Sequence, residues 1–73
     1  MQMNVLSDYR HRLVRYERDL GEFEQRYGIE SPIFYQRFEA EEMGDATDYF
    51  EWAGLYKLCQ DAREKIRRLE SAL

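Results

Sequence analysis

The sequence predicts an all-α fold: a long antiparallel helical hairpin of coiled-coil type, with a short helix at its closed end. Three observations lead there. Two apolar stripes of equal length follow the same alternating three-four spacing. A proline and two glycines punctuate the chain between them. The short segment enclosed by that punctuation is rich in aromatic residues.

The first stripe is Leu6, Tyr9, Leu13, Tyr16, Leu20, Phe23 and Tyr27. This spacing places all seven side chains on one seam of a helix over residues 4–27. Ser7 and Asp8 suit the first turn, where negative charge meets the positive end of the helix dipole. Gly21 lies off the seam and costs about 1 kcal/mol relative to alanine. Gly28 is placed to end the helix in the left-handed conformation.

The short helix is expected over residues 32–43. Ser31 reads as its N-cap, and Pro32 suits the first helical position, where an amide N–H has no partner to lose. Ile33, Phe34, Tyr35 and Phe38 supply an apolar face, and Gly44 reads as the stop.

The third helix is expected over residues 47–72, with Asp45 or Thr47 as its cap. Its stripe is Trp52, Leu55, Cys59, Ala62, Ile66, Leu69 and Leu73. Two antiparallel registers match the stripes. One sets Phe23 by Trp52, Tyr16 by Cys59 and Leu13 by Ala62. The other, a heptad along, sets Tyr27 by Leu55, Phe23 by Cys59 and Leu20 by Ala62. Both oppose small and large residues, so packing alone leaves them open.

The whole chain, 1–73, reads as a single helical domain. A domain of this size buries a modest share of its surface and gains much from association. A bare two-helix seam also leaves Tyr49, Phe50, Tyr56 and Leu58 off the seam of the third helix. A four-helix bundle made by two copies is the simplest arrangement that covers such a surplus.

Charge is unevenly spread. Residues 1–28 balance to 0, residues 29–56 to −6 and residues 57–73 to +2, giving the net −4. Folding the hairpin gathers Glu39, Glu41, Glu42, Asp45, Asp48 and Glu51 at the closed end. It lays Arg10, Arg12, Arg15 and Arg18 beside Arg63, Lys65, Arg67 and Arg68 on the arms. Opposite charges also sit four apart on the third helix, as in Asp61 with Lys65 and Glu64 with Arg68, each pair contributing a few tenths of a kcal/mol (about 0.2–0.5).

Catalytic and metal chemistry find little support. His11, the only histidine, stands between Arg10 and Arg12 with no orienting partner in the pattern. Cys59, the only cysteine, falls on the seam, where it acts as a small hydrophobe. One His and one Cys do not make a closed zinc site, and Asp45-Ala46-Thr47-Asp48 lacks the ligand spacing of a calcium loop. No catalytic, cofactor or metal residue is expected. Met1 to Asn4 carry neither a basic region nor an apolar stretch, so no export signal is expected. No apolar run approaches the roughly 20 residues of a membrane span. A lone thiol without an export signal fits a reducing cytoplasm.

The expected function is therefore protein binding. Its candidate surface is the closed end: Phe34, Tyr35, Phe38, Glu41, Glu42, Asp45, Asp48, Tyr49, Trp52 and Tyr56. Trp52 is expected first as a core anchor and second as an interface hot spot. The acidic end suits a basic partner, because charge complementarity steers association. A homodimeric structural role is one alternative. A nucleic-acid-associated role at the basic open end is another, ranked lower because the net charge repels nucleic acid and no recognition motif stands out.

The central stretch also carries a resemblance. Tyr27-Gly28, Ser31, Phe34-Tyr35, Phe38-Glu39, Gly44-Asp45, Asp48, and Trp52 through Leu55-Tyr56 resemble small helical prokaryotic proteins encoded beside toxin-like genes. The resemblance spans residues 24–58, less than half the chain, and rests mostly on caps and core aromatics. It implies an antitoxin-like partner role and carries over no catalytic residue.

Overall fold

A computed structural model describes residues 4–73. Met1–Met3, part of the stretch read for an export signal, lie outside the described residues. Three helices follow in order: α1 (Val5–Tyr27), α2 (Ser31–Glu39) and α3 (Thr47–Ser71). Helices α1 and α3 pack along each other as a helical hairpin, and α2 packs on both. Among the described residues, no helix is long and apolar enough to cross a membrane.

α1 begins where Asn4 caps it, its side-chain oxygen accepting the Ser7 amide at 3.0 Å. It ends at Gly28, whose N–H bonds the Glu24 carbonyl at 2.8 Å and whose φ of 70° turns the following chain out of the helix.

The start of α2 departs from the sequence expectation. Ser31 does not cap the helix; Glu30 occupies that position without a side-chain bond. Glu24 on α1 supplies the missing acceptor, its carboxylate taking the Ser31 amide at 2.7 Å. The Ser31 hydroxyl is thereby free to face inward, and the residue is only 2% exposed.

The end of α2 departs as well. The helix stops at Glu39, four residues short of the expected 43. Glu41 takes the left-handed conformation at φ 59°. Its N–H reaches the Phe38 carbonyl and the Glu42 N–H reaches the Arg37 carbonyl. These two bonds form a Schellman ending, with glutamate in the position glycine usually holds. Gly44, at φ 83°, sits in the following loop.

Helix α3 starts without a side-chain cap. Ala46 holds the N-cap position, so neither Asp45 nor Thr47 plays the expected part.

The core lies where the three helices meet. Phe34, Trp52 and Cys59 are fully buried, with Leu20, Ala53 and Ala62 nearly so. Trp52 stacks on Phe34 with ring centroids 3.8 Å apart and planes 1° off parallel, and on Phe23 at 5.5 Å and 10°. Tyr27 stacks on Trp52 at 5.6 Å. Phe23–Trp52 is one pairing of the first expected register, and the Tyr27–Trp52 stack belongs to neither. Toward the open end the buried residues of α3 are the small Cys59 and Ala62.

Candidate functional site

The two flanks of the α1–α3 seam differ. On one flank, Arg10 meets Glu70 at 2.6 Å and Arg63 meets Glu17 at 2.8 Å. Arg10 and Glu17 are seven apart on α1, as are Arg63 and Glu70 on α3, so each set lies on one stripe. Those ion pairs bridge that flank.

One shallow groove lies at the closed end between α2, its following loop and α3, and two more follow between α1 and α3. At the closed end, Phe38, Glu39, Glu41, Met43, Gly44, Asp45 and Phe50 line the first. Asp19, Phe23, Phe50, Glu51, Gly54, Leu55 and Leu58 line the second. Tyr9, Arg12, Tyr16, Leu58, Asp61, Ala62 and Lys65 line the third, toward the open end. Phe50 is shared by the first two and Leu58 by the last two. These two side chains remain 58% and 51% exposed, large apolar groups left in water.

The ten expected surface residues divide accordingly. Phe34 and Trp52 are buried in the core and present no surface. Trp52 is the core anchor, and aromatic stacking explains why neither residue reaches solvent. Asp48 is engaged internally: its carboxylate accepts from the Tyr27 hydroxyl and from Arg26 at 2.9 Å. Tyr49 is half-buried, edge-on to Tyr27 at 5.3 Å. Tyr35 and Tyr56 stack on one another at 4.8 Å, both half-buried.

Phe38, Glu41, Glu42 and Asp45 remain at the closed-end surface. Phe38 is half-buried and meets Phe50 edge to face at 5.4 Å and 87°, forming an apolar floor. Glu39, Glu41 and Asp45 form the rim of that floor, with Glu42 beside Glu41 in the chain; all four are exposed. They enter none of the ion pairs found among the described residues. Met43 belongs to this surface too. The only signal for it in the sequence is an apolar residue between Glu42 and Gly44.

Local chemistry follows burial and pairing. Burial pushes the Cys59 thiol above its ordinary value, with Arg63 pulling partly the other way. The Tyr27 hydroxyl and then Arg26 hold the Asp48 carboxyl below its usual range. The same bond raises the Tyr27 phenol. His11 is exposed. On α3, Glu64 meets Arg68 at 3.1 Å, as the spacing predicts, and also Arg67. The described ion pairs do not include Asp61 with Lys65. Among the described residues, no three His, Cys, Asp or Glu side chains gather as a metal site would require.

No protein-family model matches the chain, and neither the curated proteins nor the solved structures include a match to it.

Proposed function

We propose that this chain is a non-catalytic protein-binding module of the cytoplasm, the antitoxin-like partner of a toxin-like protein. The acidic closed end carries the reading. There an apolar floor of Phe38 and Phe50 is rimmed by carboxylates that enter none of the ion pairs found among the described residues. A basic side chain of a partner would lay its aliphatic stem on the rings and its charge against the rim. The expected partner therefore presents lysines or arginines, as proteins that bind or cut nucleic acid do. The antiparallel, coiled-coil-like hairpin is part of the proposal, supported by the order of the pairs Arg10–Glu70, Glu17–Arg63 and Arg26–Asp48.

The test is co-expression with the product of the neighbouring gene, followed by purification of the complex. A one-to-one complex weakened by Glu41→Lys with Asp45→Lys, and by added salt, supports the proposal. No complex with that product, together with no stoichiometric protein recovered from the native host, defeats it. A nucleic-acid-associated role is the second reading, favoured by Arg12 and Lys65 lining one groove at the open end. It requires binding to duplex or single-stranded nucleic acid that falls steeply with salt.

A further inference from the structure

The grooved flank has a symmetry of its own. Glu51, Leu58 and Lys65 are spaced by seven residues on α3, so they form one stripe along that flank. Leu58 stands at the centre of the stripe, near the middle of the helix. At 1.5 Å per residue, Glu51 lies about 10 Å to one side of it and Lys65 about 10 Å to the other. The stripe thus reads acid, apolar, base, at equal intervals.

We infer that this flank binds a second copy of the chain about a two-fold axis at Leu58, placing Glu51 of each copy against Lys65 of the other. An axis there superposes Leu58 on its own mate and exchanges the positions seven before and seven after it. The wider charge layout agrees. The acidic groove of Glu39, Glu41 and Asp45 adjoins this flank through Phe50 at the closed end, and Arg12 with Lys65 lie toward the open end. A head-to-tail pair opposes unlike charges along its length, while a parallel pair opposes like ones.

Four further features fit a second copy. The flank bridged by Arg10–Glu70 and Arg63–Glu17 is satisfied within one chain, whereas Arg12 and Lys65, which share their groove with Asp61, enter none of the ion pairs found among the described residues. Glu51 from a mate adds a second anion to a groove that holds two cations and one carboxylate. Gly54 lies between Phe50 and Leu58, and the space where a Cβ would stand is empty, so another helix can approach closely. Phe50, eight residues before the axis, falls toward the mate's groove at Tyr9 and Tyr16. The 47 × 20 Å outline also has room for the roughly 800 Å² per partner of a standard interface. One contact opposes the arrangement: Asp19, which lines the central groove with Leu58, is brought near its own mate.

This surface is separate from the carboxylates of the closed-end rim, and neither reading requires the other. Sedimentation equilibrium of the full chain at micromolar concentration tests it, with circular dichroism to verify folding. The wild type should sediment as a dimer and Leu58→Glu as a folded monomer. Glu51→Lys and Lys65→Glu should each raise the dissociation constant about tenfold, since two-fold symmetry counts each change twice. The double variant should return to near the wild-type value. Within one helix these positions are about 21 Å apart, beyond the screening length at physiological salt, so such rescue has to come from another copy. Asp19→Asn should tighten the dimer, a gain that impaired folding does not produce. A wild type that stays monomeric to 100 µM overturns the inference, as does additive weakening in the double charge reversal. A dimer indifferent to Leu58→Glu overturns it too. If Leu58→Glu fails to fold, the charge reversals and Asp19→Asn decide.

Discussion

The indole N–H of Trp52 donates to the hydroxyl of Ser31 at 2.9 Å, and both residues are buried. This bond joins α3 to the first residue of α2 at the centre of the aromatic stack. Removing the acceptor leaves a buried donor without water or protein to bond. Ser31→Ala should therefore destabilise the fold by about 1–3 kcal/mol. For a domain this small that corresponds to roughly 4–8 °C in Tm per kcal/mol. Trp52→Phe removes the donor at the expense of packing. In that background Ser31→Ala should cost clearly less, and thermal melts of the four-protein cycle measure the difference.

The same bond shows where the sequence stops being informative. A serine before a proline looks like a helix cap, and nothing local distinguishes that role from a buried acceptor whose donor is 21 residues away. The two seams were legible because every third or fourth position repeats the same demand for burial. The choice between registers was not, since both oppose large to small. Trp52 was expected first as a core anchor and is one, whereas the burial of Phe34 was hidden. Ten aromatic and acidic residues crowd the closed end, and only three-dimensional stacking separates those inside from those outside. The acidic rim itself was visible, because charge is summed along the chain without knowing the packing.

Cys59 offers a test of the core. It is fully buried on the seam and its thiol is raised by that burial, so it is neither accessible nor ionised near neutral pH. An aromatic disulfide reagent should label it at the rate at which the hairpin opens, and promptly once denaturant is added. Prompt labelling of the native protein would contradict the packing. Cys59→Ala should cost about 1 kcal/mol, the order expected for deleting one small buried group.

Glu41 identifies strain that can be relieved. A non-glycine residue at φ 59° gives up about 1 kcal/mol relative to its preferred backbone. The Schellman bonds made by Glu41 and Glu42 hold it there. Glu41→Gly keeps those bonds and removes the steric conflict, so it should stabilise the protein by up to about 0.5 kcal/mol after the entropy of the freer unfolded chain is counted. Gly28→Ala should do the reverse at φ 70°, costing about 1 kcal/mol although nothing crowds the added methyl. Urea titrations of both variants check the opposite signs.

Tyr27, Asp48 and Arg26 set the pH window of the closed end. Asp48 is held below its usual range, foremost by the Tyr27 hydroxyl and then by Arg26. A depressed carboxyl contributes stability above its unfolded pKa, near ~4, and loses it as pH falls through the lower folded value. Tyr27 is raised, foremost by its bond to Asp48. Its contribution is intact below the unfolded tyrosine pKa, near ~10, and is lost as pH climbs through the higher folded value. The pair should therefore give a stability plateau across neutral pH with a fall at each extreme. Tyr27→Phe removes both the phenol and the leading support of the carboxyl. Its melts should lose the alkaline fall attributable to this residue and show a shallower acid one, because Arg26 still holds Asp48 at 2.9 Å. Asp48→Asn should flatten the acid side further, since no carboxylate remains there to protonate. A Tyr27→Phe profile parallel to the wild type at both extremes would show that the bond does not govern the titration of either group.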